Sequence, residues 1–126
     1  MDRPNHGKFF GKVVTEWLDD AGNGRNMRLL EPFSYCDPKG RMWLAQVGAI
    51  INGASIPRFF WRIIGSPYTG SYRRASVLHD VACDQRMAPA PAVHRMFYYA
   101  CRCGGIRPFK AWIMWAAVRF FGPSWK

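Results

Sequence analysis

The amino-acid sequence contains few acidic residues, and their scarcity is greatest in its second half. Eight Asp and Glu oppose eighteen Lys and Arg, which gives a formal net charge of +10. Residues 51–126 hold eleven of these cations but only two acids, Asp80 and Asp84, for a net charge of +9. An excess of this size predicts an acidic partner, which could be nucleic acid, anionic lipid or a complementary protein surface.

The sequence also lacks long apolar runs and a cysteine framework. No run approaches the ~20 apolar residues of a membrane-spanning helix, and the first residues do not have the pattern of a signal peptide. The four cysteines fit neither a zinc knuckle nor a dense disulfide framework, so we expect free thiols at Cys36, Cys83, Cys101 and Cys103. With 126 residues, of which 49% are hydrophobic, we expect one domain over residues 1–126.

The hydrophobic pattern predicts an extended half over residues 1–50 and a helical half over residues 51–126. Strands are predicted at 10–18, 27–35 and 41–47, with a hairpin turn at 37–40 and another turn at 22–24. Helices are predicted from Ser71 to about Gln85, from about Pro91 to Cys103 and from about Pro108 to Phe121. We therefore predict an α+β fold, with a small antiparallel sheet packed beside three C-terminal helices.

The last predicted helix is apolar on both of its faces. Phe109, Trp112 and Phe120 lie on one face, while Met114 and Val118 lie on the other. A helix that is apolar all round is buried on both sides, docked on a partner or laid on a membrane surface. At roughly 14 residues it is too short to cross a bilayer.

The second feature of the helical half is a histidine beside its two acids. His79 and Cys83 share one face of a helix because they are four residues apart, and Asp80 and Asp84 form a second such pair. An antiparallel second helix would bring His94 towards that face. We expect a small polar cluster of His79, Cys83, His94 and one of the acids in an aromatic shell.

Two segments resemble a known family. NGASIP, residues 52–57, and the following helix with Ala75 and His79-Asp80 resemble a family of small phage and prophage proteins, domain of unknown function 1353. The resemblance covers about residues 28–122. It implies a phage or prophage origin, and hence a virion or bacterial cytoplasmic location, but no particular reaction.

The helix pair also bears a weaker resemblance to phospholipase A2 enzymes. That resemblance implies that His79 is the general base on a water molecule, that Asp80 is a calcium ligand, and that a loop with Gly53, Ser55 and Pro57 completes the ion site. The chain departs from both patterns, because Asn52 and Cys83 replace an Asp and an aromatic residue. His94 stands in place of the Asp that orients the histidine, and a second imidazole cannot stabilise an imidazolium as a carboxylate does.

These departures favour a non-enzymatic component of a phage particle, in its tail, neck or baseplate region. We expect no cofactor, other phage particle proteins as partners, and no small-molecule ligand. The alternative is a calcium-dependent, phospholipase-A2-like lipid hydrolase. His79, Cys83 and His94 are also three ligand types that suit zinc, and the further alternative is a buried, hydrogen-bonded His79 beside a thiol that only packs.

A basic and aromatic surface is expected to make the partner contact. Anionic lipid and nucleic acid remain alternative partners, since tryptophans between arginines can stack on bases. The predicted contact residues are Arg58, Arg62, Arg73, Arg74, Trp112, Trp115 and Arg119.

Overall fold

A computed structural model gives the structure of the protein. It describes residues 6–18, 26–51, 55–57, 59–60, 62 and 72–125. Among the predicted features, the turn at 22–24, the residues Gly53 and Arg58, and the start of the first helix at Ser71 lie outside these described residues.

The described part of the first half forms two small antiparallel sheets, which confirms the predicted α+β class but replaces one sheet by two. One sheet has the order β1-β4-β5 and the other has the order β2-β3-β6. The strands are β1 (Lys8–Phe10), β2 (Thr15–Trp17), β3 (Met27–Leu29), β4 (Phe33–Cys36), β5 (Met42–Ala45) and β6 (Ile50–Ile51).

The predicted long strands at 10–18 and 27–35 are wrong, because the chain changes sheets within each of them. Gly11 takes a left-handed backbone (φ 87°) between β1 and β2, and a Cβ there would lie 2.9 Å from the Pro32 carbonyl oxygen. Pro32 lies between β3 and β4, where a missing N–H fits the interruption of a ladder. The strand β6 was not predicted.

The hairpin between β4 and β5 forms where the turn residues predicted it. The Asp37 carboxylate accepts hydrogen bonds from the backbone N–H groups of Lys39 and Arg41 at 2.9 and 3.0 Å. Gly40 takes the left-handed conformation (φ 88°) that this turn requires. Trp43 Nε1 donates to the second Asp37 oxygen at 3.0 Å, which ties β5 to the turn.

Residues 72–125 form three helices, at nearly the predicted positions. They are α1 (Arg73–Gln85), α2 (Ala90–Cys103) and α3 (Pro108–Phe121). Pro91 in the first turn of α2 and Pro108 at the start of α3 suit helix N-termini, and Gly104-Gly105 ends α2. None of the helices in the described ranges has the length and apolar character needed to span a membrane.

The core lies between the sheets and the helices, with α2 in the middle of the helical layer. α2 packs against both α1 and α3, and α1 packs against β5 and β6. This arrangement places one face of α1 against α2, where the candidate site lies. The largest fully buried apolar side chains of the core are Tyr35, Phe33, Phe97, Leu29, Ile51, Ile56 and Met114.

Candidate functional site

The centre of the helical half is a pair of buried histidines. His79 on α1 and His94 on α2 are 0% and 1% exposed, and His79 Nε2 lies 2.9 Å from His94 Nδ1. The Phe97 ring covers the His79 ring at a centroid distance of 4.6 Å, and the Trp125 indole meets the His94 ring edge at 6.1 Å. The second helix therefore does bring His94 to His79, inside an aromatic shell.

A backbone carbonyl fixes the proton positions of the histidine pair when both rings are neutral. His94 Nε2 lies 2.9 Å from the Pro123 carbonyl oxygen, which can only accept, so this nitrogen carries the proton. His94 Nδ1 is then an acceptor, and His79 Nε2–H donates to it. The tautomers of both histidines thus follow from a single carbonyl group after α3.

The chain of hydrogen bonds continues from His79 to the segment that precedes the helices. Ser55 Oγ lies 3.0 Å from His79 Nδ1, which must accept in the neutral tautomer, so the hydroxyl donates. The Ser55 backbone N–H donates to Asp80 Oδ1 at 3.3 Å. The side chain and backbone of Ser55 thus join the loop to two consecutive residues of α1.

Cys83 lies one helical turn after His79, and its thiol lies beside the His79 ring. Its Sγ atom is 3.6 Å from His79 Nε2 and 3.8 Å from His79 Nδ1. The ligand atoms of His79, Cys83 and His94 all lie within 4.8 Å of one another. Asp84, in contrast, is exposed, whereas Asp80 is buried and engaged with Ser55.

Burial determines the charge state of the cluster. Desolvation, followed by the nearby His94, holds the pKa of His79 well below its usual value. Desolvation also lowers the pKa of His94, against an opposing contribution from the Pro123 carbonyl. Desolvation and the Asp80 charge raise the pKa of the Cys83 thiol to about 12. The described cluster is therefore an uncharged set of two imidazoles and a thiol beside the Asp80 carboxyl group.

This arrangement can do two kinds of chemistry. A serine, a histidine and a second histidine in a hydrogen-bonded row can pass a proton, since each member has one donor and one acceptor direction. Two imidazole nitrogens and a sulfur that converge on one point can instead hold a borderline metal ion. The cluster contains no carboxylate against the His79 ring nitrogens, which are bonded to Ser55 and His94.

A second feature is the outer face of α3, which is apolar and exposed. We call it the aromatic face: Phe109, Trp112 and Phe120, with exposures from 57 to 73%. The opposite side of the helix packs into the protein through Ala111, Met114 and Val118. Of the two apolar faces that the sequence predicts, the Met114 face is thus buried and the Trp112 face is open.

A shallow cavity of about 260 Å³ extends the aromatic face onto α2. It is lined by Arg95, Tyr98, Tyr99, Trp112 and Trp115. From Gln85 to the last residue the sequence has seven Lys or Arg and no Asp or Glu. The aromatic face and its surroundings therefore combine aromatic rings with positive charge.

The predicted basic contact residues have different environments. Arg62, Arg74 and Arg119 are exposed, and the Arg74 guanidinium lies 4.4 Å from the centre of the Phe9 ring. Arg73 is half-buried and donates to the Val13 carbonyl and to Thr15 Oγ1 at 3.4 and 3.3 Å. Arg73 therefore joins α1 to the sheet layer.

Sequence reasoning missed the residues that complete the cluster from outside the helices. The Pro123 carbonyl belongs to the segment after α3, and no side-chain pattern indicates a backbone acceptor. The same segment is fastened by Trp125 Nε1, which donates to the Ala88 carbonyl at 2.8 Å. A conformational signal was present only in Gly122-Pro123, which ends the helix and turns the chain back.

Comparison with known proteins places the chain in a family without a known reaction. The sequence model of the family described as "Protein of unknown function (DUF1353)" matches residues 27–118. No solved structure matches the chain.

Two relatives come from Sinorhizobium fredii (strain NBRC 101917 / NGR234). "Uncharacterized protein y4jT" is 44% identical over 106 residues, which are 84% of this chain and 32% of the relative. "Uncharacterized protein y4iH" is 34% identical over 108 residues, which are 86% of this chain and 45% of the relative. The chain thus spans less than half the length of either relative. Because the family model matches most of the sequence, including α1, α2 and the histidine pair, the chain belongs to the DUF1353 family.

Proposed function

We propose that the protein is a non-enzymatic docking module, which attaches a phage or prophage particle component to an acidic partner protein through the aromatic face. The observation that carries the proposal is the exposure of Phe109, Trp112 and Phe120 on one side of α3. An exposed apolar patch costs free energy in water, and such patches are typical of interaction sites.

The charge around the aromatic face supports an acidic partner. Arg95, Arg107, Lys110 and Arg119 are exposed on α2 and on or beside α3, and the sequence has no acid after Asp84. Two copies of the chain would bring these cations together and repel each other, so a second copy is a poor occupant. A partner surface with negative charge and apolar pockets would be complementary to the aromatic face and the cations around it.

The residue types favour a protein over a lipid surface or a nucleic acid. Protein interfaces are enriched in Trp, Tyr, Phe and Arg and depleted in Lys, and their energetic centres are most often Trp, Tyr or Arg. The face and its cavity contain Trp112, Trp115, Tyr98, Tyr99 and Arg95. The polar face of an interfacial membrane helix is typically rich in Lys and Arg, whereas the cations of α3 are Lys110 and Arg119 only.

The assignment to a phage particle rests on the sequence resemblance, and the relatives support only the modular part. Because the chain matches less than half of each relative, the domain occurs within longer polypeptides. A docking module carried by a larger protein is consistent with such an arrangement.

Photo-crosslinking from the aromatic face tests the proposal. A benzophenone amino acid at position 112 is compared with one at exposed Gln85, at the end of α1, in cells that encode the protein. We expect one acidic protein to crosslink from position 112 and not from position 85. The purified partner should then bind the wild-type chain, and W112S should weaken binding at least ~10-fold, as for an interface tryptophan.

Trp17 provides a matched control, because it is 59% exposed and Trp112 is 57% exposed. W17S should leave partner binding unchanged. Equal crosslinking from positions 112 and 85, or equal loss of binding in W17S and W112S, would refute the proposal. Binding of the wild-type chain to vesicles of phosphatidylglycerol and phosphatidylcholine, or to duplex DNA, with loss in W112S but no protein partner, would assign the face to lipid or nucleic acid instead.

The second candidate is the phospholipase-A2-like hydrolase, with His79 as base and calcium at Asp80. The hydrogen bond from His79 to His94 holds the His79 ring in one orientation. Because Ser55 and His94 occupy both ring nitrogens, a general-base role requires one of these bonds to open. Calcium-dependent release of fatty acid from anionic vesicles, abolished by H79Q, would establish it. No release at millimolar calcium from a folded protein would eliminate it.

A further inference from the structure

We infer that His79, Cys83 and His94 form a zinc site, with zinc placed between the two imidazoles and bonded to the Cys83 thiolate. The inference is independent of the proposed docking function, because the site is interior and the aromatic face is not part of it. It rests on the convergence of three ligand atoms, on the groups that hold them and on their chemical type.

The ligand atoms lie close enough together for a tetrahedral ion to bind after side-chain movements within the cluster. Zinc bonds of about 2.0–2.1 Å to nitrogen and about 2.3 Å to sulfur separate two nitrogens by about 3.3 Å and a nitrogen from a sulfur by about 3.6 Å. His79 Nε2 and Cys83 Sγ are 3.6 Å apart, and His79 Nε2 and His94 Nδ1 are 2.9 Å apart. Sγ is almost equally far from both His79 ring nitrogens, so it lies beside the ring. Bound zinc therefore requires the two rings to separate by a few tenths of an ångström and the Cys83 side chain to turn its sulfur towards the Nε2 side of His79.

The far side of each imidazole already has the partner that a metal-bound histidine needs. Histidine ligands usually donate their second ring N–H to an oxygen atom, which fixes the ring and strengthens the ligand nitrogen. His94 Nε2–H donates to the Pro123 carbonyl, and His79 Nδ1 is 3.0 Å from Ser55 Oγ. Both outer partners are oxygens at hydrogen-bond distance, and both face away from the ligand atoms.

Proton accounting gives a defined exchange between the metal-free and zinc-bound forms. Without metal, the His79 proton lies on Nε2, between the two rings. With zinc, this proton resides on Nδ1 and donates to Ser55 Oγ, whose hydroxyl rotates to accept it. The Cys83 thiol loses its proton to solvent as the Zn–S bond forms, so one proton is released for each zinc ion bound.

The donor set selects the class of metal. Two imidazole nitrogens and a thiolate suit zinc and neighbouring transition metals, whereas calcium prefers six to eight oxygen ligands. The three protein ligands leave a fourth position for water or an exogenous ligand. Asp80 Oδ1 accepts a hydrogen bond from the Ser55 N–H, so the Asp80 carboxylate lies next to the site.

Metal content and cobalt spectroscopy on the full chain test the inference. Protein produced with zinc and dialysed should retain about one zinc per chain. The Co²⁺-loaded protein should show intense tetrahedral d–d bands and a thiolate-to-cobalt charge-transfer band. C83A should lose the charge-transfer band and bind zinc on the order of 100-fold more weakly or worse, and S55A should bind about 10-fold more weakly through loss of its contact to His79.

Cys101 supplies the matched control, because its thiol is fully buried on α2 and is not part of the cluster. C101A should keep the zinc content and the cobalt spectrum of the wild type. Far-ultraviolet circular dichroism shows whether each variant is folded before it is compared. A folded wild type that neither retains zinc nor gives the cobalt bands would overturn the inference, as would a C83A variant that binds both metals as C101A does.

Discussion

The interior of the helical half and the outer face of α3 reverse the usual distribution of side chains. The interior contains two histidines, two serines and an aspartate with almost no exposure, whereas the outer face of α3 exposes two phenylalanines and a tryptophan. A row of hydrogen bonds joins the buried Ser55, His79 and His94 and ends at the Pro123 carbonyl. The exposed rings have no comparable cover within the described residues. The hydrogen bonds of the interior are made within the chain, whereas the exposed aromatic face is suited to contact a partner.

The largest effect should come from removing one histidine of the pair. H94A removes the acceptor of His79 Nε2 and the donor of the Pro123 carbonyl, and it opens a cavity in the helical layer. We expect a loss of about 4 kcal/mol in the free energy of unfolding, measured in urea on metal-free protein. H6A, at a half-buried histidine near the start of the described chain, should cost less than about 1 kcal/mol. A loss of less than about 1 kcal/mol in H94A would show that the row of hydrogen bonds does not stabilise the fold.

The buried side of α3 should be nearly as sensitive. Met114 is 0% exposed, and M114A removes its side chain from the core against α2. We expect a loss of about 3 kcal/mol in the free energy of unfolding, since truncation of a buried methionine leaves a cavity. Thermal and urea unfolding measure it. A near-neutral result would mean that α3 is held in place by something other than its inner face.

A smaller loss should follow from the serine at the other end of the row. S55A leaves His79 Nδ1 without its donor in a buried site, at a cost of about 2 kcal/mol. Ser76 is the control, because it is equally buried and its Oγ has no hydrogen-bond partner among the described residues. S76A should be neutral or slightly stabilising. Equal losses in S55A and S76A would contradict a stabilising role for the Ser55 hydroxyl.

The smallest effect on stability should come from the aromatic face. Phe120 is 67% exposed, so F120S should change the free energy of unfolding by no more than about 0.5 kcal/mol. The same substitution should weaken binding to the partner, which separates adhesion from folding. A loss close to that of M114A would show that Phe120 packs within the chain and does not serve a docking surface.

The helices could be predicted because their signals are local. Prolines at the helix starts, glycines at their ends and the four-residue spacing of His79 and Cys83 are all readable in one segment. The short loop between α1 and α2 was sufficient to predict that His94 approaches His79. The sheets were harder, because whether the chain pairs onward or changes sheets at Gly11 depends on contacts with residues far along the chain.

The candidate site could be predicted only as far as its side chains. Ser55 is 24 residues before His79, and Pro123 is 29 residues after His94. Neither contributes through a recognisable motif, since one is a loop hydroxyl and the other a backbone oxygen. The sequence also did not predict which face of α3 is exposed. Both faces are apolar, so only packing against the rest of the protein determines which of them is buried.

The segment after α3 is bonded both to the histidine pair and to the loop before α2. Its Pro123 carbonyl determines which nitrogen of His94 is protonated. Trp125, two residues after Pro123, fixes the segment to the Ala88 carbonyl. Any polypeptide that is joined beyond Trp125 would emerge immediately beside the histidine pair. Tension on such an extension would act first on the hydrogen bond from Trp125 to Ala88 and then on the Pro123 carbonyl that holds His94. An affinity tag at that end therefore belongs behind a flexible spacer.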